Sequence, residues 1–376
     1  MKKVKLLIAE DSSINRKFLV RLLSDEFEIK ESSDGGEAVE MFASFAPDII
    51  LLDIHMPVMD GLEVIRHIRN SRVDRDVFIL VLTGEESTEV KVQALNEGAN
   101  DFVLKPFVRE ELQARVRVAR RQVLILEELR RAYSIISAEM DTVADLQNRL
   151  LPRGEFDFSG VDLDWMYLPS GKASGDYYDF FPVGSATLRF VVADVSGHGA
   201  RAAFIMNTVR TIFRMSWRNY FSLEQVVGFV NDDLFQIVGG EADFVTLLAC
   251  DLDLSARSLT YINAGHCPGF FLADHELMHE VLPNCRPLGI FPLDITSGEL
   301  YYKDSIKAFL YTDGFYEWET APGEILGLDR FRYEVHQMMR REDFDLNLLK
   351  TRLELIGGDN VRFRDDLTAL WIRTRS

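Results

Sequence analysis

IILLDIHMPVMDG, residues 49–61, is an unbroken apolar run that ends on Asp53 and then turns through Pro57 to Gly61. Apolar residues without alternation indicate a strand covered on both faces, the condition of a parallel sheet enclosed by helices. Three more runs of the same kind surround it. VKLLIAED (4–11) closes on Glu10 and Asp11, FILVLTG (78–84) on Thr83 and Gly84, and DFVLKPF (101–107) on Lys105 and Pro106. Residues 4–9, 49–53, 77–83 and 101–104 are therefore expected as buried strands, with 28–31 a weaker one. Helices are expected between them at 14–23, 37–45, 62–69 and 89–97. Strand and helix alternating at this spacing predict a doubly wound parallel sheet. In such sheets the functional crevice lies beyond the carboxyl ends of the strands. That rule gathers Glu10, Asp11, Asp53, Thr83 and Lys105 into one place. Three carboxylates together repel unless a cation joins them, and oxygen-only ligands favour Mg²⁺. A carboxylate can itself accept a phosphoryl group, with Lys105 as a point charge for its oxygens and Thr83 as a hydroxyl donor.

In this order and at these spacings, LLIAEDS, LLDIHMPVMDG, VLTG and FVLKPF resemble the receiver domain of bacterial response regulators, over roughly residues 1–125. The resemblance implies a flavodoxin-like fold and Asp53 as the phosphoacceptor. It implies Glu10 and Asp11 as Mg²⁺ carboxylates, joined by Asp53 and the backbone carbonyl of His55. Lys105 would contact the phosphate, and Thr83 and Phe102 match the family's switch pair. A histidine kinase or phosphotransfer protein would be the phosphoryl donor.

Beyond the receiver-like region the chain changes character. No Gly or Pro occurs between Phe107 and Leu151, and apolar residues recur at Leu112, Val116, Ala119, Val123, Leu126, Leu129, Tyr133, Ile136, Met140, Val143, Leu146 and Leu150. Steps of three and four predict one continuous helix with a near-heptad seam, stopped by Pro152 and Gly154. A parallel dimeric coiled coil is the preferred reading, and packing of the stripe on the chain's own domains is the alternative. The domains expected are 1–122, a helical linker 123–152 and 153–376.

The last part has no regular strand–helix alternation. Strands at 187–194, 244–253, 259–263, 306–312 and 367–373, with helices near 200–217 and 223–238, predict antiparallel sheets flanked by helices, an α+β arrangement. Acidic residues again stand beside glycines, in SGDYYDFF (174–181), VVADVSGHGARAAF (191–204), LYTDGFYEW (310–318) and RDDLTALW (364–371). Asp194 and Asp313 each follow an apolar strand and Asp366 precedes one, so the three can meet at one edge of a sheet pair. No His–Cys pattern suggests zinc, and oxygen ligands fit Mg²⁺ or Mn²⁺. Two such cations about 3.5–4 Å apart can activate water and polarise a phosphoryl group.

Together these segments resemble the PPM (PP2C-like) phosphatases of the SpoIIE/RsbU class, over about residues 160–374. The resemblance implies two stacked antiparallel sheets between helical layers. It implies a protein serine/threonine phosphatase with two Mn²⁺ or Mg²⁺, held by Asp194, Asp313 and Asp366, the Val195 carbonyl and, more weakly, Asp176. Gly197, His198, Gly199 and, from INAGHCPGF (262–270), His266 would border the substrate. Ser174 stands where the family usually has the first Gly of GGD, and Ala193 where it often has a Gly, which leaves the loop around Asp176 less defined. A phosphoserine or phosphothreonine protein is the implied substrate, an anti-sigma-factor antagonist of the STAS type in a partner-switching circuit. The competing reading is a non-enzymatic adaptor of the RssB type that binds a sigma or anti-sigma factor.

Composition bears on partners and compartment. The chain has 376 residues, 47% hydrophobic and 27% charged, and 42 basic against 60 acidic side chains give a net charge of −18. So acidic a chain offers poor electrostatics for nucleic acid or an anionic membrane. Cys250, Cys267 and Cys285 form no CxxC pair, which suits a reducing compartment. Glu10 and Asp11 interrupt the first apolar run too early for a secretory signal, and a cytoplasmic protein is expected.

Overall fold

The computed structural model describes residues 3–70, 76–84, 88–154, 156–171, 173–197, 199–219, 221–238, 243–321, 323–357, 363 and 365–375. The chain divides into two compact units, Met1–Ile135 and Ile136–Ser376.

In the first unit, β1 (Val4–Ala9), β2 (Phe27–Ser32), β3 (Ile49–Asp53), β4 (Phe78–Thr83) and β5 (Asp101–Leu104) form one sheet in the order β2-β1-β3-β4-β5. Every pairing is parallel. Alternate residues feed opposite cores. Leu7, Ala9, Ile50 and Leu52 pack with Val64, Ile65 and Ile68 of α3 (Gly61–Asn70). Leu6, Ile8 and Leu51 pack with Leu19 of α1 (Ser13–Leu23) and with Leu112, Val116 and Ala119 of α5 (Arg109–Leu150). With both faces covered the period-two signal disappears, which is why β3 reads as a plain apolar run. α2 (Gly35–Phe45) starts on Asp34, whose carboxylate accepts from the Glu37 amide at 2.9 Å, while Glu37 accepts from the Ser33 amide at 2.8 Å. That reciprocal cap fixes where the helix begins. The strand order reverses between β1 and β3, so the crevice opens where Glu10, Asp11 and Asp53 stand. α4 (Thr88–Asn96) completes the layer between β4 and β5.

The helix α5 has 42 residues, as the sequence predicts. Its seam changes role along its length. Leu112, Val116 and Ala119 are buried, whereas Leu129, Tyr133 and Ile136 are 64%, 73% and 60% exposed.

Among the described residues the second unit has two five-stranded sheets, ordered β13-β10-β9-β8-β7 and β12-β11-β14-β17-β6, and a two-stranded ribbon of β15 (Glu319–Ala321) and β16 (Glu324–Ile325). Strands of the first are β7 (Tyr177–Pro182), β8 (Thr187–Val195), β9 (Val245–Asp253), β10 (Ser258–Ala264) and β13 (Gly298–Tyr301). Strands of the second are β6 (Val161–Leu168), β11 (Gly269–Ala273), β12 (Leu277–Val281), β14 (Ile306–Tyr311) and β17 (Leu367–Thr374). Their pairings are antiparallel. Phe271, Ala308, Leu310, Leu370 and Ile372 of the second sheet join Phe190, Val192 and Leu248 of the first in one core. Their neighbours Phe270, Phe309, Tyr311, Ala369 and Trp371 face Phe331 and Val335 of α8 (Leu328–Met339) and Leu349 and Leu353 of α9 (Leu346–Gly357). α6 (Ala200–Asn219) and α7 (Leu223–Val238) cover the first sheet, giving helices, sheet, sheet, helices. The sequence does not announce β7: Tyr177, Tyr178, Phe180 and Phe181 are all buried, so no alternation marks the strand. Among the described residues no helix is long and apolar enough to cross a membrane.

β8, the strand that carries Asp194, is tied to the helical layer by Arg189. This fully buried guanidinium donates to both carboxylate oxygens of Asp251 at 2.7 Å, to Ser216 Oγ at 3.1 Å and to the Phe221 carbonyl at 3.1 Å. Arg189→Ala is expected to destabilise the C-terminal unit by about 3–5 kcal/mol, because Asp251 is left charged and unpaired. Urea unfolding followed on that unit's transition checks this, and a loss under about 1 kcal/mol would contradict it.

Candidate functional site

In the first unit the residues at the strand ends converge. Glu10 is fully buried, Asp53 nearly so, and Lys105 Nζ lies 2.8 Å from Glu10 Oε2 and 2.6 Å from Asp53 Oδ2. Oxygens of Glu10, Asp11 and Asp53 come within 4.8 Å of one another. Asn15 Nδ2 donates to Glu10 Oε1 at 2.9 Å, and Arg16 donates to the Glu10 carbonyl at 2.6 Å, which fixes the acid that has least access to water. Burial raises the pKa of Asp53, the Lys105 hydrogen bond opposes that rise, and the charge of Glu10 adds to it. Three carboxylates against one ammonium leave negative charge that a small, oxygen-liganded cation would neutralise, so the donor set fits Mg²⁺. Thr83 ends β4 fully buried, and its carbonyl accepts from the Lys105 amide at 2.8 Å. The exposed His55 donates its amide to Asp53 Oδ1 at 3.4 Å. Half-buried Phe102 has Lys91 Nζ 5.7 Å and the Arg115 guanidinium 5.9 Å from its ring centre. Gly61 is required: a Cβ there would overlap the Asp53 carbonyl.

In the second unit a cavity of about 840 Å³ is lined by Asp194, Asp313, Asp365 and Asp366, with Val195, Gly197, Gly199 and His266 in the same wall. Asp194 is the next-to-last residue of β8, Asp313 stands just beyond β14, and Asp366 just before β17. Adjacent β14 and β17 therefore bring residues 313 and 366 side by side. The approach is close enough that a Cβ on Gly314 would overlap the Asp366 carbonyl, which explains a glycine after Asp313. Asp366 Oδ1 accepts from the amide and the hydroxyl of Ser170 at 2.6 and 2.9 Å. Burial, then the charge of Asp313, pushes Asp194 up to about 8. Burial, then the charges of Glu317 and Asp365, pushes Asp313 up to about 6. The acids share one cavity but, unlike Glu10, Asp11 and Asp53, do not close to within 4.8 Å of one another as a trio. An oxygen-rich wall of mutually repelling acids in this volume fits divalent cations that retain part of their water.

Asp176 behaves differently from the other acids. It does not line the cavity, is 2% exposed, and gives its Oδ2 to the hydroxyls of Thr312, at 2.9 Å, and Thr368. Burial and the nearby charge of Asp194 hold it well above the usual carboxylate range. Its loop is nevertheless well defined. Ser174 Oγ accepts from the Asp176 amide at 3.0 Å, and Gln147 of α5 both donates to the Ser174 carbonyl at 2.8 Å and accepts from its amide at 3.2 Å. Met140 of the same helix reaches the cavity wall. His198 lies outside the described residues. His266 is buried and held near a pKa of 4 by that burial, with both ring nitrogens in hydrogen bonds. Ser170, Thr246 and Gln147 are contributors that no local sequence pattern marks.

The family model for Stage II sporulation protein E (SpoIIE) matches residues 184–375, and that for the response regulator receiver domain matches residues 6–117. Response regulator MprA of Mycobacterium ulcerans (strain Agy99) is 40% identical over 152 residues, 40% of this chain, and the chain spans 64% of that relative's length. The SiaA-PP2C domain of Pseudomonas aeruginosa aligns at a TM-score of 0.55 with 19% identity, covering 65% of this chain and 98% of that one, a likeness of fold. The PP2C phosphatase domain of SpoIIE from Bacillus subtilis aligns at a TM-score of 0.47 with 18% identity, covering 57% of this chain and 63% of that one. The chain thus belongs to the SpoIIE family and carries a response regulator receiver domain ahead of its SpoIIE domain.

Proposed function

We propose that phosphorylation of Asp53 controls a metal-dependent protein serine/threonine phosphatase in the C-terminal unit. The observation that carries this reading is the meeting of Asp194, Asp313 and Asp366, from three distant segments, in one cavity. Asp194, Asp313 and Asp366, with the Val195 carbonyl, would hold two Mn²⁺ or Mg²⁺, which when bound polarise a phosphoryl group and lower the pKa of water. The chain's own part is placement. Ser170 orients Asp366, and Gly314 lets the Asp313 turn lie against the Asp366 backbone. Gly197 and Gly199, at φ +89° and +86°, border the cavity with bare backbone that a phosphate can approach. Lys105 and Mg²⁺ held by Glu10, Asp11, Asp53 and the His55 carbonyl would serve the acceptor site, and a histidine kinase or phosphotransfer protein would load it. The family resemblance points to a phosphorylated anti-sigma-factor antagonist of the STAS type as substrate.

Coupling between the two sites would run through α5. Its last turns hold the Ser174–Asp176 loop through Gln147 and reach the cavity through Met140. The exposed Leu129, Tyr133 and Ile136 would pair with a second copy as a coiled coil. A helix shift worth about 1–3 kcal/mol is enough for control.

Three outcomes are expected. Wild type hydrolyses a generic aryl phosphate with Mn²⁺, and Asp313→Asn is slower by about two orders of magnitude or more, the scale of several kcal/mol of lost charge stabilisation. Equal inertness of both, with metal loading verified, would favour the adaptor reading instead.

Because Asp194 and Asp313 are raised to about 8 and about 6, the cation-free fold holds protons that the unfolded chain releases. Its stability therefore falls as pH rises from about 4 towards 8, and Mn²⁺ restores most at the upper end. Thermal melts with chelator and with Mn²⁺ should show a gap that widens with pH. A gap that narrows would contradict the assignment.

A beryllofluoride mimic at Asp53 should change turnover or sedimentation of wild type and leave Asp53→Ala unaffected. Identical kinetics and mass in all conditions would remove the coupling.

A further inference from the structure

The loop 265–268 leads from β10 in the first sheet to β11 in the second, and it carries a histidine that the proposed chemistry does not use. His266 is 4% exposed, and its ring touches both sheets. Nε2 lies 2.9 Å from the carbonyl of Tyr311, the last residue of β14 and two residues before Asp313. Nδ1 lies 2.8 Å from Thr246 Oγ1 on β9. Thr246 is the direct cross-strand partner of Asp194, and its hydroxyl stands 3.5 Å from the Asp194 carbonyl. A carbonyl can only accept, so Nε2 carries the proton and Nδ1 accepts the threonine's single proton, which leaves the β8–β9 pairing of Thr246 with Asp194, and no hydrogen bond from the hydroxyl, as the link to that acid. Both nitrogens are thereby committed, which leaves none to exchange protons with a substrate.

The ring's own anchorage is over-determined. The His266 amide donates to Asn263 Oδ1 at 2.8 Å, and Asn263 Nδ2 donates to the carbonyls of Cys267 at 3.3 Å and Val281 at 3.0 Å. Gly265 has φ +68°, and a Cβ there would overlap Pro287. Cys267 Sγ donates to the same Tyr311 carbonyl at 2.9 Å. The loop cannot shift without breaking several of these bonds together.

We infer that His266 is a positioning residue whose imidazole spans the two sheets and sets the separation of Asp194 from Asp313, and with it the cavity's affinity for divalent cations. The inference rests on the reading that those acids hold cations. Groups hydrogen-bonded behind metal-binding side chains commonly govern affinity without touching the ion, and His266 acts one step further out, on the backbone and the strand neighbour that carry those side chains. Gln at 266 reaches one partner but cannot span both.

The test is Mn²⁺ binding to the full chain by electron paramagnetic resonance, with Asp11→Asn in every sample to silence the receiver's acids. His266→Gln is expected to bind about 10- to 100-fold more weakly than this parent. Thr246→Val should weaken binding in the same direction, Thr246→Ser should restore it, and the His266→Gln/Thr246→Val pair should be no worse than His266→Gln alone. A folded His266→Gln chain whose affinity stays within about twofold of the parent overturns the inference, that being less than a typical hydrogen-bond contribution. If His266→Gln does not fold, equal affinities of Thr246→Val and Thr246→Ser overturn it instead. A parent that binds no Mn²⁺, or binds it no better than with Asp313→Asn added, removes the hydrolase reading together with the inference. Those results are separable from an unaltered variant of a binding parent.

Discussion

Carboxylates drawn together in poorly hydrated space repel one another, and both units of this protein are built around that cost. In the first, Glu10 and Asp53 are nearly inaccessible, and one ammonium, Lys105, stands between them. In the second, four aspartates line a single cavity, and the charge of one raises the pKa of the next. Such clusters persist only where the surrounding fold is stiff enough to hold them. Here stiffness comes from strands covered on both faces, from Arg189 fastened to Asp251, and from glycines where backbones must touch. The same strain is the source of affinity for positive charge, because a cation relieves it.

The two units use opposite sheet logic towards the same end. A parallel sheet places its strand ends on one edge, so residues 10, 53, 83 and 105 gather there by topology alone. An antiparallel pair of sheets has no such edge. There the convergence depends on which strands are neighbours, and β14 beside β17 joins Asp313 to Asp366 across a long stretch of sequence.

This difference explains how much could be read beforehand. Glu10, Asp11, Asp53 and Lys105 each follow an apolar run, so sequence order already implied their meeting. The limits of β1, β3 and β5 and of the long helix were also readable, since burial on both faces or an unbroken run free of Gly and Pro marks them. In the second unit the motifs located Asp194, Asp313 and Asp366, but not what surrounds them. Ser170 meets Asp366 across 196 positions, and no local pattern could reveal that contact. Asp176 is the weaker candidate of the acids in the sequence, without a local reason to separate it from them. Only the fold shows that hydroxyls of Thr312 and Thr368 hold it behind the cavity wall. α8, with Phe331, Val335, Met338 and Met339 buried at helical spacing, carries a period that the sequence does display.

β17 has a bearing on how the molecule is made. The strand latest in sequence among those described is not at the border of its sheet but lies between β14 and β6. While a ribosome is still synthesising the chain, β6 has no neighbour and Asp313 has no Asp366 beside it. The receiver unit can mature early on the nascent polypeptide, whereas the acidic cavity is closed only once residues 367–374 have emerged. Biosynthesis itself therefore orders the parts, with the acidic cavity completed after the receiver domain.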